Sequence, residues 1–237
     1  MSLRALHIIN EPSGPGGLFL PPLEHRGFIV DHVECRALPS TLAGYDAVIS
    51  CGGTANTHET DVHPWIEQEI GLLSEALHDR IPVMGLCLGA QLLNRAAGGT
   101  ALPSRPPEVG WVEVSTTPAA AADPVLAAVP ASFQAMQWHY YACNPPEDAV
   151  ELARNATCVQ AFRVGEVAWG TQFHIEVTRE ILLNWFTWAT EELERAGYPK
   201  KRYMEALDQN LEQHEAIGRG MADRFAEIAL TRAQSAA

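Results

Sequence analysis

The chain has 237 residues, 47% of them hydrophobic and 19% charged, and a formal net charge of -13. That length suits one large domain or a domain with an appendage, and the composition is that of a globular enzyme. The acidity argues against a nucleic-acid binder, which needs a basic footprint, and no apolar run approaches the ~18 residues of a membrane helix. The apolar run at residues 6–9 predicts a first strand, followed by a Gly/Pro-rich loop at 10–17. Residues 28–30 and 47–51 predict two more strands, the latter ending at Gly52-Gly53. From 63 to 79, Trp65, Ile66, Ile70, Leu73 and Leu77 share one helical face. Residues 83–86 are a further short strand, and a helix then runs to Gly98-Gly99. Alternating strands and helices of this kind predict a mostly parallel α/β sheet with helices on both faces.

The middle, 101–150, is rich in Pro and Ala and less regular, with strands expected at 111–114 and 133–138. Residues 159–163 and 167–169 flank Gly165 as a hairpin, and the second strand is expected to run on toward Glu176. Thr178 is a candidate N-cap for a helix to about Leu193, ended by Gly197-Tyr198-Pro199. Two domains are assigned: a catalytic unit over 1–196 and a helical extension over 197–237. In the extension Tyr203, Leu207 and Leu211, then Met221, Phe225 and Ile228, mark amphipathic helices broken at Gly218-Arg219-Gly220. Their apolar faces would pack on the chain's own domain, or alternatively form a homodimer contact.

The five cysteines (Cys35, Cys51, Cys87, Cys143, Cys158) are odd in number and show no paired spacing. With no signal-peptide pattern at the N-terminus, they read as free thiols in a reducing cytoplasm. His58, Asp61 and His63 are scattered on a loop, and no clustered Cys/His set suggests zinc. Gly14-x-Gly16-Gly17 lacks the features of a dinucleotide loop. No metal and no cofactor is expected.

The stretch carrying most chemistry is Gly85-Leu86-Cys87-Leu88-Gly89-Ala90-Gln91. Glycines flanking a nucleophile-type residue between strand and helix allow a strained elbow. Cys87 would then lie at a helix N-terminus, where the dipole favours thiolate and the Leu88 amide faces a developing oxyanion. A nucleophile needs a base, and the base an orienting group. His174 and Glu176, two apart on an extended chain, would point to one side and complete a Cys87-His174-Glu176 triad. Cys51, ending an apolar strand, reads as core.

At these residues the chain resembles the class I, triad-type glutamine amidotransferases. The segment 85–91 matches the family's nucleophile motif, and Gln172-Phe173-His174-x-Glu176 its second motif, with Ile175 where proline is usual. Cys51-Gly52-Gly53 matches the oxyanion glycines, with Thr54 in place of proline. Pro64-Trp65-Ile66-x-x-Glu69 also looks like amidotransferase domains related to GMP synthetase. The resemblance covers roughly residues 4–190.

It implies a flavodoxin-like open sheet, an oxyanion hole from the Gly53 and Leu88 amides, and a γ-glutamyl thioester on Cys87. Gly52, Gln91, Trp138, His139 and Tyr140 would line the substrate site. The family's Ser-His-x-Asp stands here as Trp138-His139-Tyr140-Tyr141, so the usual aspartate is missing. Three functions follow: an amidotransferase feeding ammonia to a separate synthetase subunit, a stand-alone γ-glutamyl hydrolase, and a non-catalytic regulatory relative. The first fits the broad motif match best.

Overall fold

The computed structural model describes residues 2–195 and 197–236. Its elements are β1 (Arg4–Ile9), α1 (Leu20–His25), β2 (Ile29–Glu34), β3 (Ala47–Ser50), α2 (Trp65–Asp79), β4 (Val83–Leu86), α3 (Leu88–Ala96) and β5 (Thr100–Thr116), then β6 (Ser132–Asn144), β7 (Val150–Arg154), β8 (Val159–Val164), β9 (Ala168–Thr171), α4 (Arg179–Trp188), α5 (Thr190–Arg195) and α6 (Lys200–Ala236). One nine-stranded sheet runs β2-β1-β3-β4-β9-β8-β7-β5-β6. Strands β2, β1, β3, β4 and β9 are parallel, and the rest join by antiparallel pairs. This is the α/β class read from the chain.

Side-chain alternation sends successive strand residues to opposite faces. Ala47 and Ile49 of β3, Met84 and Leu86 of β4 and Trp169 of β9 join Phe19, Leu23 and Phe225 in one core. Val48, Val83 and Ala168 face the other way and pack with Trp65, Leu73, Leu88 and Leu92 of α2 and α3. Both faces are therefore covered, which suits the short, fully buried strands β3, β4 and β9.

Four expectations change in detail. The middle is more regular than its composition suggests: β5 spans 17 residues and β6 spans 13. Its prolines are accommodated by a register shift between Pro103 and Glu108, since a proline cannot donate to the ladder. The strand expected to reach Glu176 ends at Thr171, because its partner β4 ends at Leu86 and turns into the elbow. The helix after Thr178 breaks at Ala189 into α4 and α5.

The fourth change concerns the C-terminal segment. Helix α6 runs without a break through Gly218-Arg219-Gly220. A Cβ on Gly218 would lie 2.3 Å from the Ile175 carbonyl oxygen and 2.8 Å from a Leu18 methyl, so this glycine permits close contact rather than a break. The apolar face of α6 is used within the chain: Met221, Phe225 and Ala229 enter the main core, and Tyr203 and Leu207 pack with α4 residues.

Beneath the end of β3 lies a buried carboxyl, Glu69. It accepts from Ser50 Oγ at 2.5 Å and from Asn10 Nδ2 at 3.3 Å. Burial, only partly offset by those two bonds, raises its pKa from 4.5 to about 7. A carboxyl raised on folding stabilises fully below its unfolded pKa, and that contribution is lost as pH rises through the folded value. The loss amounts to about 3 kcal/mol. Glu69→Gln should therefore flatten the urea-unfolding stability between pH 5 and pH 8 and exceed the parent at pH 8. Parallel pH profiles for the two chains would contradict this.

Candidate active site

The end of β4 and the start of α3 form the elbow. Cys87 caps α3 with φ 51 and ψ -104, a left-handed conformation that costs a β-carbon residue about 1–3 kcal/mol. The strained angle thus falls on Cys87 itself, whereas the flanking glycines serve close packing. A Cβ on Gly85 would come within 2.7 Å of the Gly89 carbonyl oxygen, and one on Gly89 within 2.1 Å of the Ser50 carbonyl oxygen. The elbow is tied to both neighbouring strands, through Cys87 N–H to the Thr171 oxygen at 2.8 Å and Gly89 N–H to the Cys51 oxygen at 3.0 Å.

The loop after β9 brings His174 and Glu176 to the same place, although they sit in a turn rather than on a strand. His174 Nδ1 donates to Glu176 Oε1 at 2.7 Å, and both side chains are buried. That tautomer leaves Nε2 for Cys87. Burial works against charge on His174, but the Glu176 carboxylate and the Cys87 sulfur outweigh it and hold its pKa well above the usual value. The ring packs edge-on to Trp185 at 4.7 Å between centroids. From behind, His214 of α6 donates its Nε2–H to the His174 carbonyl oxygen at 2.8 Å. Helix α6 therefore braces the His174–Glu176 loop at two points one turn apart, His214 and Gly218.

Gly52 and Gly53 follow β3 and face the elbow. A Cβ on Gly52 would sit 3.1 Å from His174 Cε1 and 3.6 Å from Cys87 Cβ, and one on Gly53 would sit 2.9 Å from a Leu88 methyl. The two amides expected to form an oxyanion hole, those of Gly53 and Leu88, thus border the same space.

A cleft of about 480 Å³ opens above Cys87. All of the residues expected to bind substrate line it: Gly52, Gln91, Trp138, His139 and Tyr140. Their side chains are not equally free. The Gln91 amide is committed to the Tyr141 oxygen at 2.9 Å and to Gln172 Oε1 at 3.3 Å. The His139 ring donates from Nδ1 to the Tyr141 oxygen at 3.0 Å and turns its other edge toward Glu108, away from the cleft. Trp138 places its carbonyl oxygen 3.7 Å from Cys87 Sγ.

Several contributors escape a reading of the chain alone. Gln172 directs its amide toward Cys87 Sγ at 3.7 Å, and its place in the Gln-Phe-His motif was the available signal. Trp185, Trp188, Glu192 and Arg195 form the outer wall. Glu192 Oε1 accepts from Trp138 Nε1 at 2.9 Å and from the Tyr140 hydroxyl. The four other thiols are all raised by burial: Cys35, Cys51, Cys143, and Cys158, which reaches about 12.

The family model for glutamine amidotransferase class-I matches residues 21–181. The glutamine amidotransferase-like protein YfeJ of Salmonella typhimurium is 26% identical over 212 residues, 86% of this chain and 88% of that one. A GMP synthase of Thermomicrobium roseum is 29% identical, covering 85% of this chain but only 43% of its own length. A Pseudomonas γ-glutamyl-L-1-hydroxyisopropylamide hydrolase is 28% identical over 64% of this chain and 53% of its own. In fold, a glutamine amidotransferase from Thermotoga maritima superposes with a TM-score of 0.85 at 24% identity, over 96% of this chain and 99% of that one. Among the described residues no helix is long and apolar enough to cross a membrane. The chain belongs to the class I glutamine amidotransferases, a family of amide-hydrolysing enzymes.

Proposed function

We propose that the chain hydrolyses the γ-amide of glutamine, or of a γ-glutamyl amide, through Cys87, His174 and Glu176. The observation that carries this reading is a strained, cleft-facing Cys87 beside a His174 whose far nitrogen is held by Glu176 at 2.7 Å. The Cys87 thiolate attacks the amide carbon; a C–S bond forms and the carbonyl electrons move to oxygen. The Gly53 and Leu88 amides donate to that oxyanion. As it collapses the C–N bond breaks, and His174 gives its Nε2 proton to the leaving nitrogen. Ammonia or an amine departs, leaving a γ-glutamyl thioester. Water then loses a proton to His174, attacks the thioester and releases glutamate and the thiolate. Glu176 holds the imidazole in the tautomer both steps need.

The likeness to GMP synthase favours passing the ammonia to a synthetase on a separate polypeptide. A second reading, a γ-glutamyl hydrolase working alone, is supported by the Pseudomonas relative and by Tyr141 in place of the family's aspartate. Under either reading the cleft holds a new carboxylate, Glu192, fixed by Trp138 and Tyr140, and a guanidinium, Arg195. These suit the α-ammonium and α-carboxylate of a free γ-glutamyl group. Glu192→Gln should lower kcat/KM on glutamine about 10-fold, mainly through KM, the size of one charge-assisted hydrogen bond. An unchanged KM would place the α-ammonium elsewhere.

The reading is tested by release of glutamate from glutamine and from a γ-glutamyl anilide by the isolated chain. Turnover of glutamine favours an ammonia-producing site, and turnover of the anilide alone favours the hydrolase. Silence on both substrates, with and without candidate synthetases, would leave the non-catalytic alternative.

A further inference from the structure

Glu108 of β5, His139 of β6 and Cys158 in the turn between β7 and β8 converge beside the cleft wall and take no part in the steps above. Glu108 and His139 are cross-strand register partners, and Cys158 is 50 residues from Glu108 in sequence. Their ligand-type atoms all lie within 4.8 Å of one another. His139 Nε2 is 3.1 Å from Glu108 Oε2, and Cys158 Sγ is 3.7 Å from the same oxygen. We propose that Glu108, His139 and Cys158 bind a divalent transition-metal ion of the zinc class.

Three observations carry this. First, the separations are near what one ion needs: bonds of ~2.0 Å to nitrogen and oxygen and ~2.3 Å to sulfur put the donors of a tetrahedral site roughly 3.3–3.7 Å apart, and here two separations are 3.1 and 3.7 Å with none above 4.8 Å. Second, His139 is fixed in orientation: its Nδ1–H donates to the Tyr141 oxygen, which turns Nε2 toward Glu108. That buried nitrogen lies 3.1 Å from Glu108 Oε2 without meeting hydrogen-bond angles, so it is aimed into the cluster.

Third, the two anionic ligands have the outer partners a metal site needs. Asn155 Nδ2 donates to Glu108 Oε1 at 2.6 Å. Gln160 Nε2 donates to Glu108 Oε2 at 2.8 Å and to Cys158 Sγ at 3.3 Å, and its own oxygen accepts from Gln137 at 2.8 Å. Asn155 in turn accepts from the amides of Thr157 and Cys158, fixing the turn that presents the sulfur.

Imidazole, thiolate and carboxylate together select zinc-like ions over magnesium or calcium, which prefer all-oxygen sites. Binding replaces the Cys158 S–H bond with a metal–sulfur bond and sends the proton to solvent. A water would complete the tetrahedron. The ion would pin β5, β6 and the β7–β8 turn behind Trp138–Tyr141, a supporting role separate from the Cys87 chemistry.

The test uses the full chain carrying Cys87→Ser, which removes the reactive thiolate as a rival ligand, after treatment with a chelator. Titration with Co(II) should reach saturation at a single equivalent, with an intense tetrahedral visible spectrum and a thiolate-to-metal charge-transfer band. Adding Cys158→Ser should abolish that band, and adding Glu108→Gln instead should weaken binding at least 10-fold. Zn(II) should displace Co(II) and slow alkylation of Cys158 in the Cys87→Ser chain, a readout that needs no further substitution. A folded Cys87→Ser chain with no charge-transfer band would overturn the proposal. So would a band that survives Cys158→Ser, or alkylation of Cys158 at the same rate with and without Zn(II). None of these readouts depends on glutaminase activity.

Discussion

Cys87→Ala should reduce glutamine or γ-glutamyl anilide turnover by on the order of 10⁴-fold or more, while leaving the chain folded. The size follows from removing a nucleophile whose partners act as a unit, since His174 and Glu176 have no function in acyl transfer once the sulfur is gone. Retention of the fold follows from the elbow geometry. Its backbone bonds to the Thr171 and Cys51 carbonyls do not involve the sulfur. Alanine still carries the Cβ strain at φ 51, so relief of strain should not appear as added stability. A melting temperature near that of the parent, with residual activity near background, is the expected pair of results. A folded variant with activity within a few-fold of the parent would remove Cys87 from the chemistry.

Gly89→Ala should be among the most damaging single-methyl changes in the site. The new Cβ would stand 2.1 Å from the Ser50 carbonyl oxygen and 2.4 Å from its Oγ. Those are atoms of strand β3 and of the bond to Glu69, not the end of a flexible side chain, so the clash cannot be relieved by a rotamer change. Helix α3 and the Cys51-Gly52-Gly53 loop must separate, which also breaks the Gly89 N–H bond to Cys51. The expected loss is about 3 kcal/mol or more, at the upper end for an overpacked site. It would be read as a lower urea midpoint at unchanged slope. In the folded fraction kcat should fall as well, because the displaced loop carries the Gly53 amide. A variant matching the parent in both midpoint and kcat would contradict the packing described here.

Much of the site is legible in the chain because its parts are local. Strand, Gly-x-Cys-x-Gly and helix are contiguous, and His174 and Glu176 are two residues apart, so spacing alone brings each piece close to its final form. Even so, the local reason was different. Residues 174–176 are a turn, and the tight angle belongs to Cys87 rather than to Gly85. What spacing does not reveal is contact made only by the finished fold. Gly218 reads as a break until Ile175 is found against it. His214 meets the His174 carbonyl only once α6 has packed. Glu192 reaches the cleft only because the break at Ala189 swings α5 over it. Glu108, His139 and Cys158 come from three separate elements joined by the long β5–β6 pair, whose extent the prolines obscured.

The most direct measurement is labelling of the intact chain with a glutamine-like γ-chloromethyl ketone, followed by peptide mapping, with and without excess glutamine. The account predicts rapid, stoichiometric modification of Cys87 alone, slowed by glutamine. Cys35, Cys51 and Cys143, buried and held as thiols, should stay unlabelled, and Cys158, only partly buried, should react far more slowly than Cys87. Labelling spread over other cysteines, or labelling of Cys87 that glutamine does not slow, would contradict the assignment of this cleft as a γ-glutamyl site with Cys87 as its nucleophile.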